Sequence, residues 1–140
     1  MKSRLIKSES GLTLVEIIVV LVILSLLMTF LLSRITGSGD KAKKSITKLK
    51  IKQIASAIEQ YRLMNNQLPN TLEDLVRCNE VTGPGCIPPL NDEEALKDGW
   101  GNKFVYRTEN NGRTYKIISY GADGVPGGQG VNYDEVGVGP

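Results

Sequence analysis

The chain has 140 residues, 23% of them charged, and a formal net charge of +2, which allows one modest domain plus a membrane segment and gives no reason to expect nucleic acid as a partner. It contains no histidine, so the commonest general base and the commonest zinc ligand are missing. Two cysteines, Cys78 and Cys86, are too few for an all-cysteine zinc site, and no nucleophile–base constellation argues for an enzyme.

Residues 1–10 form a charged leader, with Lys2, Arg4 and Lys7 against Glu9. Behind it, residues 12–32 are rich in Leu, Ile and Val, hold neither Pro nor Gly, and match the length of a bilayer-crossing helix. Backbone groups in lipid must bond internally, so this run is expected to be helical. Glu16 lies in its first turns, and a carboxylate in hydrocarbon marks function unless it is neutralised. Two opposite charges buried together are tolerable where either alone is not, so Glu16 reads as a registry device awaiting a cation. The leader argues for a cytoplasmic N-terminus. The basic residues beyond the run (Arg34, Lys41, Lys43, Lys44, Lys48, Lys50 and Lys52) argue for the opposite orientation. Gly37-Ser38-Gly39 would also suit a conventional signal peptidase, although the apolar run is longer than a usual signal-peptide core.

The stretch Gly11-Leu12-Thr13-Leu14-Val15-Glu16, with its basic leader and apolar tail, resembles the N-terminus of the type IV pilin and pseudopilin family. The resemblance implies that a membrane aspartic peptidase, the prepilin peptidase, cuts between Gly11 and Leu12. The same enzyme would methylate the new amine on Leu12, and Glu16 would face the amine of a neighbouring subunit during assembly. Leu12 departs from the family, where Phe is usual. The leader and the resemblance together set the expected orientation, with the C-terminal part outside the cytoplasm.

Gly37 and Gly39 are the expected weak points of the helix, each costing about 1 kcal/mol relative to Ala, with Asp40 placed to cap a restart. Residues 40–64 lack Pro and Gly, and Ile51, Ile54, Ile58 and Tyr61 recur at helical spacing beside Ala55 and Ala57. That face is expected to cover the core of a small head domain. Stacked through the glycines, residues 12–64 would reach nearly 80 Å at about 1.5 Å per residue.

Asn65-Asn66 and Leu68-Pro69 end the helix. Residues 71–76 predict a short second helix capped by Thr71 or Asn70, with Leu72 and Leu75 inward. Residues 78–89 form a Gly- and Pro-dense loop flanked by Cys78 and Cys86. These cysteines either close the loop as a disulfide in an oxidising compartment or remain free and buried. Phe104-Val105-Tyr106 and Tyr115-Lys116-Ile117-Ile118-Ser119 predict two strands around Asn110-Asn111-Gly112. Trp100 is expected in the core or as a platform against the stem.

Lys97-Asp98-Gly99-Trp100-Gly101-Asn102-Lys103-Phe104 is similar to a stretch of the major pseudopilins of type II secretion systems, with Gly99 and Lys103 replacing two prolines. The segment beginning Ser119-Tyr120-Gly121-Ala122-Asp123-Gly124, with its downstream acids, resembles the same group's calcium loop. Calcium takes six to eight oxygens, and a glycine-rich loop lets carbonyls converge. Asp123 and Asp134 are the expected carboxylate ligands, with carbonyls from Tyr120 and Val125. Asn132 stands where relatives are often acidic, which lowers the site's charge. Read without the resemblance, the same segment is a solvated tail that binds nothing.

The expectation is an α+β, type IV pilin-like lollipop: a long N-terminal helix, half membrane and half amphipathic, packed on a small C-terminal head with a short antiparallel sheet and a calcium-type loop. Its parts are residues 1–11 (leader), 12–36 (membrane and filament-core helix), 37–64 (amphipathic stem) and 65–140 (periplasmic head). The resemblance implies a subunit of a bacterial inner-membrane-derived periplasmic pseudopilus in type II secretion, a helical homopolymer. Its partners would be the prepilin peptidase, the assembly platform and minor pseudopilins. The alternatives are a type IV pilus or competence pilin, and a membrane-anchored calcium-binding protein that never polymerises.

Overall fold

The computed structural model describes residues 11–140, with the side chains of residues 32–38 excepted; the leader, residues 1–10, lies outside the described residues. One helix, α1 (Leu14–Asn65), is followed by 3₁₀ turns at Leu72–Leu75 and Glu93–Leu96. Strands β1 (Val105–Glu109) and β2 (Thr114–Ser119), a 3₁₀ turn at Gly130–Asn132, and strand β3 (Glu135–Gly139) complete the order. The chain divides into two compact units, Met1–Ser38 and Gly39–Pro140.

In the first unit, Leu14–Leu31 has a mean hydropathy of 2.9 and none of it is buried. Its two polar hydroxyls are satisfied within the helix: Ser25 donates to the Leu21 carbonyl and Thr29 to that of Ser25, as hydrocarbon surroundings demand. The helical backbone continues through Gly37 and Gly39, and Asp40 sits inside α1 rather than at a cap. Two glycines raise the cost of a helix but do not remove its hydrogen bonds, and helix-forming sequence on both sides propagates through them.

In the second unit, the expected α1 face is the buried one. Ile51, Ile54, Ala57, Ile58 and Tyr61 join Leu72, Leu75, Leu90, Leu96, Phe104, Tyr115 and Ile117 in one core. Full burial of each large aliphatic contributes about 1.5–3 kcal/mol. The helix ends where Asn66 turns left-handed at φ 55°, its N–H donating to the Arg62 carbonyl. The predicted second helix is one 3₁₀ turn, tied down by Asp74, whose carboxylate accepts the N–H groups of Asn70 and Thr71. Leu72 and Leu75 face inward as expected. Beyond it the structure joins Cys78 to Cys86 with Cα atoms 5.8 Å apart. In the chain-entropy model such a closure contributes about 2–3 kcal/mol.

The sheet is antiparallel in the order β1-β2-β3, with Ile117 opposite Tyr106 on one side and Gly137 on the other. Asn110, Asn111 and Gly112 turn the hairpin with positive φ. Tyr115, Ile117 and Ser119 point into the core. Strand β3 was not expected from the sequence, because glycine at alternate positions weakens a strand. Here it is required: a Cβ on Gly137 would stand 2.3 Å from Ile51, and one on Gly139 equally close to the Tyr115 ring. Lys44 and Lys48 then hold Glu135, at 3.3 and 3.8 Å.

Gly99 meets α1 more tightly still, since a Cβ there would lie 2.2 Å from the Lys43 carbonyl oxygen. Gly99→Ala is expected to destabilise the second unit by about 1–3 kcal/mol, read by chemical denaturation. Burial pushes the Tyr106 phenol up to about 12, and its hydroxyl donates to the Pro69 carbonyl. The unfolded phenol titrates near 10, so this stabilisation is complete below pH 10 and disappears as pH rises to about 12. Tyr106→Phe should make the fall in melting temperature across that window shallower than in the wild type.

Candidate functional site

At the start of α1, Thr13 acts as the cap. Its hydroxyl accepts the Glu16 N–H at 3.2 Å, and its carbonyl accepts that of Ile17. Glu16 is thereby fixed in the first turn, where a negative charge suits the helix dipole. Its carboxylate is exposed, as are Gly11 and Leu12, and among the described residues no cation lies within ion-pair distance of it. Among the described residues this acid is therefore uncompensated. The spacing Thr13-x-x-Glu16 is a capping signature, so this role of Thr13 was readable but was not drawn from the sequence.

The second candidate site is the loop of residues 120–134. Its entry is organised by Asp98, which is 3% exposed. One carboxylate oxygen accepts the Trp100 and Asn102 N–H groups; the other accepts the Ser119 hydroxyl at 2.7 Å. Asn102 donates onward to the Gly121 carbonyl. The loop closes where the Ala122 N–H meets the Val131 carbonyl, and where Asp134 accepts the Gly127 N–H at 3.0 Å. Gly121 and Gly128 are left-handed and press on the Val131–Asn132 backbone, where a Cβ would come within 2.6 Å.

The anticipated ligands are placed unevenly. Asp134 is partly buried, and its Oδ1 is shielded from solvent with no hydrogen-bond partner. Asn132 is half-buried against Gly128. Asp123 is exposed and accepts the Val125 N–H at 3.2 Å; Val125 is exposed and Tyr120 half-buried. Among the described residues no group of three Asp, Glu, Cys or His side chains converges as a metal cluster. An orphaned carboxylate oxygen in a loop that also offers the exposed Asp123 carboxylate, the Asn132 amide and backbone carbonyls fits a hard cation, held with fewer charges than a three-carboxylate site. Asp98 and Asn102, which the sequence reading left without a role, fix the loop's entry. Trp100 is half-buried, with its indole N–H shielded and unpartnered.

Comparison with known proteins follows this division of the chain. Residues 6–32 match the family model of the prokaryotic N-terminal methylation motif, and residues 34–137 that of the type II secretion system (T2SS), protein G. The chain is similar to the type II secretion system core protein G of Xanthomonas campestris, 34% identical over 90% of this chain and 87% of that one. The core protein G of Pseudomonas aeruginosa is 36% identical over 87% and 89%, and that of Vibrio cholerae 32% identical over 91% and 90%. In fold it resembles the major pseudopilin of the type 2 secretion system of enterohaemorrhagic Escherichia coli, with a TM-score of 0.52 at 24% identity, over 72% of this chain and 90% of that one. With one model spanning most of its length and relatives matched nearly end to end, the chain belongs to the protein G family of type II secretion systems.

Proposed function

We propose that this chain is the structural subunit of a periplasmic pseudopilus that drives protein export through the type II secretion system. The observation that carries the reading is the pairing of a methylation motif at residues 6–32 with a protein G match over residues 34–137. In this reading the prepilin peptidase cuts between Gly11 and Leu12 and methylates Leu12. The subunit waits in the inner membrane as a single-pass protein with its second unit in the periplasm. The assembly platform then extracts it into the filament, which minor pseudopilins cap. The apolar surface of Leu14–Leu31 exchanges lipid for other stems. Glu16, which has no ion-pair partner among the described residues, gains one in the amine of the next copy, and a buried ion pair that is tolerable when complete is costly when half-made. The periplasm is oxidising, which suits the Cys78–Cys86 bond.

Calcium belongs to the same proposal. Asp134 and Asp123, with Asn132 and the carbonyls of Tyr120 and Val125, would hold it, and the ion would supply a fixed positive charge for those oxygens. What supports this is the unpartnered, shielded Asp134 Oδ1. Asp98 and Asn102 hold the entry of the loop from outside it, and the loop's own glycine turns shape its backbone.

Mass spectrometry of the membrane-extracted protein should find an N-terminus at Leu12 carrying one methyl group. Intact Met1, or a start near Gly39, would overturn the processing step. Glu16→Ala should leave the processed monomer present in membranes while pelletable filament falls at least tenfold; unchanged assembly would favour a monomeric membrane protein. For calcium, titration calorimetry should show binding that weakens at least tenfold in Asp134→Ala. At a hundred times Kd, the ion should stabilise the wild type by about 2.7 kcal/mol. Absence of both heat and thermal shift would remove the metal from the account.

A further inference from the structure

We propose that the outward face of α1 over residues 41–52 docks on the acidic loop region, residues 73–94, of a second copy of this chain. The inference rests on the homopolymer reading above and names the contact that reading leaves unspecified.

The charges of the second unit are segregated. Residues 40–53 hold six lysines against Asp40, while residues 71–96 hold six carboxylates against Arg77. Contacts within one copy take up part of each set and leave a remainder on both sides. Lys44 and Lys48 share the single carboxylate of Glu135, and Lys50 donates to the carbonyls of Glu94 and Lys97. Among the described residues Lys41 and Lys52 are exposed and have no ion-pair partner, and neither does Glu80. The other acids of the loop are partly screened by their own chain: Arg77 pairs with Glu93, Lys97 with Glu94 and Lys103 with Glu73, while Asp74 and Asp92 accept backbone N–H groups. Glu80 and the exposed outer oxygens of these pairs are therefore what a second copy meets.

Helical geometry keeps the two patches apart in one copy. At 3.6 residues per turn, Lys41, Lys48 and Lys52 fall within an arc of about 40°, and Lys50 lies about 180° from its centre. Because Lys50 rests on the backbone of Glu94 and Lys97, the acidic region flanks the side of α1 away from the lysine stripe. Opposite charges on opposite sides of identical subunits are satisfied head to tail, a heterologous contact that repeats into a filament instead of closing. Apolar residues accompany both patches: Leu49, about 80° round the helix from the centre of the stripe, is 65% exposed, and Val81 and Ile87 are 48% and 79% exposed in the acidic loop. Charges at the rim of such a contact set orientation and approach, and the exposed aliphatics fill its centre.

The test uses the full processed chain and reads filament pelleted from the periplasmic contents of gently lysed spheroplasts. Lys41→Glu/Lys48→Glu/Lys52→Glu and, separately, Glu80→Lys/Glu93→Lys should each lower assembled protein by roughly tenfold or more. The five changes combined should restore at least half of the wild-type level. Circular dichroism and an unchanged N-terminus check that each variant folds and is processed. Wild-type assembly in either set alone, or no rescue by the combination, would overturn the contact while leaving the polymer intact. A lysine variant that fails to assemble and loses binding to phosphatidylglycerol vesicles, beside an acidic variant that assembles normally, would identify an anionic lipid as the occupant and overturn the proposal. If the wild type forms no filament, the homopolymer reading itself fails, and the contact with it.

Discussion

A buried polar tie between helix and loops holds the second unit in register. Thr47, fully buried on α1, donates its hydroxyl to the Lys43 carbonyl and accepts the Gly99 N–H at 2.9 Å. One residue earlier, Asp98 gathers two loop N–H groups and the Ser119 hydroxyl. A carboxylate taken out of water is expensive until its lone pairs are filled, so this loop has few acceptable positions. The result is that α1, the segment of residues 97–104 and the end of β2 are held together at one point, from which the loop of residues 120–134 departs.

The return of that loop is held near the same stretch of helix. Strand β3 leaves the loop at Glu135, which Lys44 and Lys48 hold. Its glycines then let the backbone lie directly on Ile51 and Tyr115. Loop entry and exit are therefore both referred to residues 43–51 of α1. The glycines inside the loop supply its left-handed turns without Cβ strain, and the ends supply its position. That separation of tasks lets a glycine-rich segment present Asp134 in a defined place.

How much of this was legible depended on whether a residue's partners were close in sequence. The core face of α1 was readable, because Ile51, Ile54, Ile58 and Tyr61 meet the same core at regular spacing. The hairpin was readable because Asn110-Asn111-Gly112 are turn residues for a local steric reason. Strand β3 was not, since the demand for Gly137 comes from Ile51, far away in the chain. Asp98 was hidden for the same reason: its defining partner, Ser119, lies 21 residues on. The helix was expected to weaken at Gly37 and Gly39, yet its backbone continues, because propensity is a weak prior against an already propagating helix.

Two kinds of electrostatics are built into one short chain, and physics assigns them different work. The Glu16 carboxylate sits in an apolar segment, where a missing partner costs several kcal/mol and the correct one is recognised only at contact. The lysines and carboxylates of the second unit are exposed, so each pair contributes only about 0–1 kcal/mol and is screened over roughly 8–10 Å at ordinary salt. The first kind is selective and short in range, while the second is weak and felt earlier. In a homopolymer the exposed charges would orient an incoming copy, and the buried pair would then accept or reject its register. In the proposed homopolymer neither would suffice alone: steering without the buried pair would leave the register loose, and the buried pair without steering would have to find its geometry by chance.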